Sequence, residues 1–202
     1  MKELDVLARE VASCRKCGLG STRTHAVPGE GPHDADLLFV GEGPGWHEDQ
    51  QARPFVGPAG KFLEELLLSI GLRRQQVFIT NIVKCRPPSN RDPLPGETTA
   101  CQPYLERQVS LIHPRLIVTL GRYSLAHFLP GGAIGRIHGV MQWRDGQAIF
   151  PCYHPAAALH QASLRRTIEA DFLKIPAALD AARAAAEPAE AAEPPAEQLS
   201  LF

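Results

Sequence analysis

Several features are missing from this sequence, and each absence narrows the reading. No apolar run reaches the about 18 residues that a membrane-spanning helix needs. No basic stretch near the N-terminus leads into an apolar one, so no secretory signal is expected and the cytoplasm is the default compartment. No charge of one sign dominates, because 21 Lys and Arg face 22 Asp and Glu for a net charge of −1. That balance argues at first against a polyanionic partner, but it is unevenly spread. Residues 184–202 hold four acids (Glu187, Glu190, Glu193, Glu197) and no Lys or Arg. Without them, 21 basic residues remain against 18 acidic ones, 22 less these four, which is compatible with a local nucleic-acid face without demanding one. No dinucleotide fingerprint is complete: in the run from Gly41 the sixth position is Trp46, not Gly. No P-loop is present either, since Gly60-Lys61 is followed by Phe62 rather than Ser or Thr.

What is there reads as an α/β domain over residues 1–183. Leu4, Leu7, Ala8 and Val11 share one face of an opening helix over residues 2–12. Leu37–Val40, Val77–Val83 and Leu116–Leu120 are short apolar or β-branched runs of the kind found in buried strands. Helical spacing covers Gly60–Ile70, Glu97–Ile112, Arg122–Leu129 and a closing helix over Leu164–Arg183. Pro87, Pro88, Pro93 and Pro95 force a loop, and Asp145-Gly146 suggests a hairpin within Gln142–Phe150. Alternating strands and helices imply a three-layer α/β/α sandwich around a mostly parallel sheet. Its site belongs at the carboxyl ends of the strands, where polar or glycine-rich segments follow Val40, surround Asn81 and surround His154. Residues 184–197 collapse to Ala, Glu and Pro and are expected to form a flexible tail.

Five cysteines without an export signal are read as metal ligands or buried thiols before disulfides. Cys14 and Cys17 form a C-x-x-C pair, while Cys85 and Cys101 flank the proline-rich loop. Four thiolates from two segments suit zinc or an iron–sulfur cluster, and spacing alone does not choose. Cys152 reads as a small buried hydrophobe outside that set.

The motifs that carry chemistry are GEGPGWHED (Gly41–Asp49), RPFVGPAG (Arg53–Gly60), ITNIVKCRPP with NRDP (Ile79–Pro93), IVTLG (Ile117–Gly121) and YHPA (Tyr153–Ala156). Together they resemble the family 4 uracil-DNA glycosylases, from about Cys14 to Arg166. The resemblance implies a monofunctional enzyme that removes uracil from DNA by hydrolysing the N-glycosidic bond. It also implies a [4Fe–4S] cluster on Cys14, Cys17, Cys85 and Cys101. Such an enzyme must flip the base out of the stack into a pocket. By resemblance, Gly43 lies in the uracil-binding turn and Phe55 is the ring on which uracil stacks. Asn81, at a strand end, can bond the O4 and N3–H edge, which cytosine presents with opposite polarity. His154 matches the histidine that donates to uracil O2, where charge develops as the bond breaks.

Water must attack the anomeric carbon, a nearby carboxylate could orient it, and Glu42, Glu48 and Asp49 are the candidates. Glu42 is favoured for the water side, with Glu48 as the alternative or as the group that rejects thymine's methyl. Two departures from the family pattern stand out. Ala156, Ala157, Ala158, Leu159 and His160 replace the usual loop, so that Leu159 is left as the wedge and an expected Arg is missing. His138 precedes Gly139 where the family tends to place Arg. No insertion interrupts Lys84-Cys85-Arg86-Pro87, which argues against the DNA-crosslinking branch.

The last five residues, Gln198-Leu199-Ser200-Leu201-Phe202, resemble the pentapeptide that docks bacterial repair proteins on the β sliding clamp. Gln198, Leu199, Leu201 and Phe202 are the expected contacts. The expected assembly is a monomer acting on single- or double-stranded uracil-containing DNA. A clamp-tethered uracil reader without turnover, and a zinc-stabilised nucleic-acid-binding module, remain as alternatives.

Overall fold

In the computed structural model, residues 3–186 are described. The expected tail from residue 187 onward and the pentapeptide 198–202 lie outside them. In chain order the elements are α1 (Glu3–Ser13), α2 (Leu19–Thr22), β1 (Leu37–Gly41), α3 (Trp46–Gln51), α4 (Pro58–Ser69), β2 (Phe78–Asn81), α5 (Pro95–Ile112) and β3 (Leu116–Leu120). They continue with α6 (Arg122–Phe128), α7 (Ile134–Ile137), β4 (Gln142–Arg144), β5 (Gln147–Cys152), α8 (Pro155–His160), α9 (Ala162–Phe172) and α10 (Ile175–Ala186).

The strands form one sheet in the order β2-β1-β3-β5-β4. β1 pairs in parallel with β2 and β3, and β3 with β5, while β4 joins β5 antiparallel at the edge. The hairpin turn is Asp145-Gly146, both at positive φ (49° and 79°), as a two-residue connection with matching twist requires. Apart from Thr119 in β3 and Gln147 at the start of β5, the three central strands are apolar because both faces are covered. Leu37, Phe39, Leu116, Val118 and Phe150 pack beneath α4, α9 and α10. Leu38, Val40 and Ile117 face the opposite way, onto α1 and α5. This is the expected α/β/α sandwich.

Two expectations on helices are corrected. The closing segment is not one helix: α9 ends at Phe172, and α10 starts at Ile175 with Pro176 in its first turn, where the missing N–H costs nothing. α10 also runs three residues past the expected domain end at 183 and stops at Ala186. Its buried face is Ile175, Ala178, Leu179 and Ala182, while residues 184–186 are exposed.

β1 lies between β2 and β3, and the chain reaches these neighbours across opposite faces. The carboxyl ends of β1, β2, β3 and β5 therefore open onto one crevice.

Candidate active site

That crevice is a cavity of about 620 Å³. Its floor and walls include Glu42, Gly43, Glu48, Phe55, Asn81, Gly121 and His154, and its mouth includes Arg91, Arg122 and His160. Glu42, Gly43, Gly121 and His154 arrive on turns that follow strands, Asn81 is the last residue of β2, and Phe55 comes on the loop between α3 and α4. Gly41 is needed where β1 ends, because a Cβ there would overlap Asn81 Oδ1 and the Phe55 ring.

Phe55 holds an unusual backbone, with φ at +52° for a residue that is not glycine. The buried guanidinium of Arg74 maintains it. Nη1 donates to Phe55 O at 2.9 Å, Nη2 donates to Pro54 O, and Nε pairs with Glu30, which also takes Arg53 Nε at 2.7 Å. Gly60, at the start of α4, lies so close to the Phe55 carbonyl that no side chain fits between them. The Phe55 ring then stacks near His154, with centroids 5.5 Å apart and planes 27° apart.

Asn81 is buried, and among the described residues its Oδ1 has no hydrogen-bond partner. A buried acceptor left open is unfavourable; here it lines a cavity large enough for a ligand's donor.

His154 caps α8, and its Nδ1 accepts from Ala156 N at 3.1 Å. An accepting Nδ1 leaves the proton on Nε2 in the neutral ring. The ring touches the cavity but is otherwise enclosed, and burial pulls its pKa down to about 4, opposed weakly by the charge of Glu48. It is a neutral donor at physiological pH.

The three candidate carboxylates separate clearly. Glu42 is half-buried on the cavity wall; burial and nearby Asp92 raise its pKa to about 6, with Arg122 acting the other way. Glu48 is spent on the backbone: Oε1 accepts from Val56 N and Gly57 N at 2.9 Å each, and Oε2 accepts from Gly45 N at 3.1 Å. Asp49, a candidate from the sequence, is absent from the cavity lining. Its buried carboxylate accepts from Thr24 N at 2.9 Å and from His25 N at 3.4 Å, tying α3 to the loop after α2.

Leu159 is exposed on α8 between Ala157 and His160, both at the cavity. His138 does not reach the cavity. Its Nδ1 bonds the buried Asp171 Oδ2 at 2.6 Å, and its ring leans on Tyr153.

On the opposite face of the sheet, Cys14, Cys17, Cys85 and Cys101 line one small cavity with Lys84, Arg23 and Tyr104. Among the described residues no three Cys, His, Asp or Glu side chains converge tightly enough to grip a single metal ion. The sulfurs receive hydrogen bonds suited to anionic thiolates: Arg23 Nη1 to Cys85 Sγ at 2.8 Å, Lys84 N to Cys101 Sγ at 3.3 Å and Lys16 N to Cys14 Sγ at 3.5 Å. Burial raises the pKa values of Cys85 and Cys101, while Arg23 and Lys84 respectively oppose the rise. Cys152 lies apart, buried in the core beneath α9 and α10.

Sequence reasoning missed Arg74, Glu30 and Arg23. No local motif marks them, because each acts on a segment distant in the chain. Arg91 and Arg122 could have been found, since the first lies in NRDP and the second directly follows IVTLG.

A family model of the uracil DNA glycosylase superfamily matches residues 28–179. A type-4 uracil-DNA glycosylase of Sulfurisphaera tokodaii is 50% identical over 185 residues, covering 87% of this chain and 84% of its own. One from Archaeoglobus fulgidus is 47% identical over 87% of this chain and 92% of its own. A third, from Thermotoga maritima, is 43% identical over 85% of this chain and 92% of its own.

Proposed function

Given that the chain belongs to the uracil DNA glycosylase superfamily, we propose how its cavity removes uracil from DNA. The enzyme hydrolyses the N-glycosidic bond of a uracil flipped out of the strand. The open acceptor Asn81 Oδ1 carries this reading. Uracil N3–H would satisfy it while the amide N–H₂ meets O4; cytosine offers an acceptor at N3 and would leave it unpaired. Phe55 supplies the stacking face, and Gly43 leaves room at the turn. As the glycosidic bond breaks, negative charge develops on uracil O2, and the neutral Nε2–H of His154 donates to it. Glu42, ionised above its raised pKa, orients the water and favours the electron-poor sugar. Glu48 holds the loop that carries Phe55, because its oxygens already serve three backbone amides. Arg91, Arg122 and His160 at the mouth supply positive or polar contacts to phosphates in place of the Arg missing from the loop after His154.

Cys14, Cys17, Cys85 and Cys101, which line one cavity, are assigned to a [4Fe–4S] cluster, the group that the resemblance to the family 4 uracil-DNA glycosylases implies. Bound to it, these thiols would tie the segment after α1 to α5 and to the start of the proline-rich loop. Leu159 is assigned as the wedge. Gln198, Leu199, Leu201 and Phe202 are assigned to a bacterial β sliding clamp; deleting 198–202 should abolish clamp binding in surface plasmon resonance and leave cleavage of short oligonucleotides intact. No helix among the described residues is long and apolar enough to cross a membrane. We assign a cytoplasmic monomer.

The test is incubation with a labelled single-uracil oligonucleotide beside a cytosine control, followed by alkali cleavage. The expected result is cleavage at uracil alone, reduced about 10²–10³-fold in His154→Ala, the usual scale for one oxyanion donor. A folded protein that binds uracil-DNA without cleaving it would replace this reading with that of a clamp-tethered reader.

A further inference from the structure

Lys84 lies between the two sites. It follows Asn81 by three residues, precedes Cys85, and is almost completely buried. Its backbone N–H donates to Cys101 Sγ at 3.3 Å, and the residue forms part of the wall of the thiol-lined cavity. The side chain turns back toward the uracil end. Nζ donates to Asn81 O at 2.7 Å, to Thr80 Oγ1 at 2.6 Å and to Gln108 Oε1 at 2.6 Å. Gln108 sits on α5, the helix that carries Cys101, and its Nε2 donates to Pro28 O at 2.6 Å.

Three acceptors use all three N–H groups of an ammonium. All three are neutral dipoles, so the offsetting negative charge comes from elsewhere, and Lys84 shares its cavity wall with all four thiols. A cation this deep is unfavourable unless negative charge lies close. Four thiolates around an iron–sulfur cluster supply such charge.

We infer that Lys84 is a positioning residue that couples the two sites: its charge offsets that of the four-thiolate centre, while its N–H groups hold the backbone of Asn81 in place to read uracil. This rests on the four-cysteine cluster assignment made above. The centre then contributes to base recognition through one side chain, beyond cross-linking the fold. Removing the cation should also make the centre harder to reduce, because reduction adds an electron where a compensating charge has been lost.

The experiment uses the full-length brown protein with two variants, Lys84→Met and Gln108→Glu. It measures the reduction potential by film voltammetry, and the inhibition constant of free uracil against cleavage of a uracil oligonucleotide. Lys84→Met should shift the potential negative and weaken uracil inhibition roughly tenfold, the scale of one well-made interaction lost. Gln108→Glu places a carboxylate against the ammonium and cancels its charge while leaving the bond to Asn81 O. It should shift the potential negative; because it also loses the Nε2 bond to Pro28 O, uracil inhibition is read in Lys84→Met alone. A folded, brown Lys84→Met protein with wild-type potential and uracil inhibition overturns the inference. If Lys84→Met fails to fold, an unaltered potential in Gln108→Glu overturns it instead. A colourless wild type would overturn the cluster assignment and this inference together, whereas brown, active wild type with unaltered variants overturns the inference alone.

Discussion

Burial favours the neutral form of both Glu42 and His154, yet the two shifts have different consequences for the reaction. His154, drawn down to about 4, is already the neutral donor throughout the physiological range. Glu42, raised to about 6, must lose its proton to work as assigned. The rate should therefore rise with pH through about 6 and then level, with Glu42 setting the limb. Glu42→Gln should lower kcat by about 10²–10⁴-fold, the range for a positioned base, and abolish that limb in a pH–rate profile. A limb near pH 6 that survives in Glu42→Gln would remove Glu42 from the water side. Residue type alone could not separate Glu42, Glu48 and Asp49, because a carboxylate facing a cavity and one bonded to backbone amides are the same three or four atoms in the sequence. Their hydrogen-bond partners separate them: none of the three amides on Glu48 lies next to it in the chain.

At the scale of elements, the strands were legible because a strand covered on both faces is an unbroken apolar run. The short helices α3 and α8 were not. Neither is long enough for a repeating apolar face, and each depends on its cap: Glu48 reaching back to Gly45 N, and His154 accepting from Ala156 N. The loop that presents Phe55 is held from a distance by Arg74, which sits 19 and 20 positions away from the two carbonyls it binds. Arg74→Ala would leave those carbonyls and part of Glu30 unpaired in a buried place, costing about 3–5 kcal/mol if it behaves as a broken buried pair. In a domain of this size that corresponds to a melting temperature lower by roughly 6–20 °C. The surviving folded fraction should bind uracil weakly, because Phe55 is free to leave its left-handed conformation. Calorimetry and uracil inhibition measure the two effects, and a variant unchanged in both would show that Gly60 packing alone suffices.

At the scale of the whole molecule, the same half-buried histidine links activity to acid stability. His154 has a folded pKa of about 4 against an ordinary 6.5, so the unfolded chain binds the extra proton first. Its contribution to stability is complete above about pH 6.5 and is lost as the pH falls toward about 4. Glu42 acts oppositely: its folded pKa of about 6 exceeds the ordinary 4.5, so acidification across that interval favours the folded state. Urea unfolding across pH 4–7 should show a flatter acid slope in His154→Asn than in the wild type. Equal slopes would mean that the imidazole is not held neutral.

The sequence by itself determined the class of fold and the family, and it singled out Phe55, Asn81, His154 and the four cysteines as the residues to propose for the site, because each is carried by a local pattern: an apolar run, a turn, or a contiguous motif. Only the tertiary structure decided what holds and tunes those groups. It assigned Glu48 and Asp49 to backbone amides, set the tautomer of His154, left Asn81 Oδ1 open, recruited Arg74 and Arg23, and placed Lys84 between thiols and pocket. These are contacts between segments far apart in the chain, and burial and hydrogen-bond partners come into being only when the sheet brings those segments together.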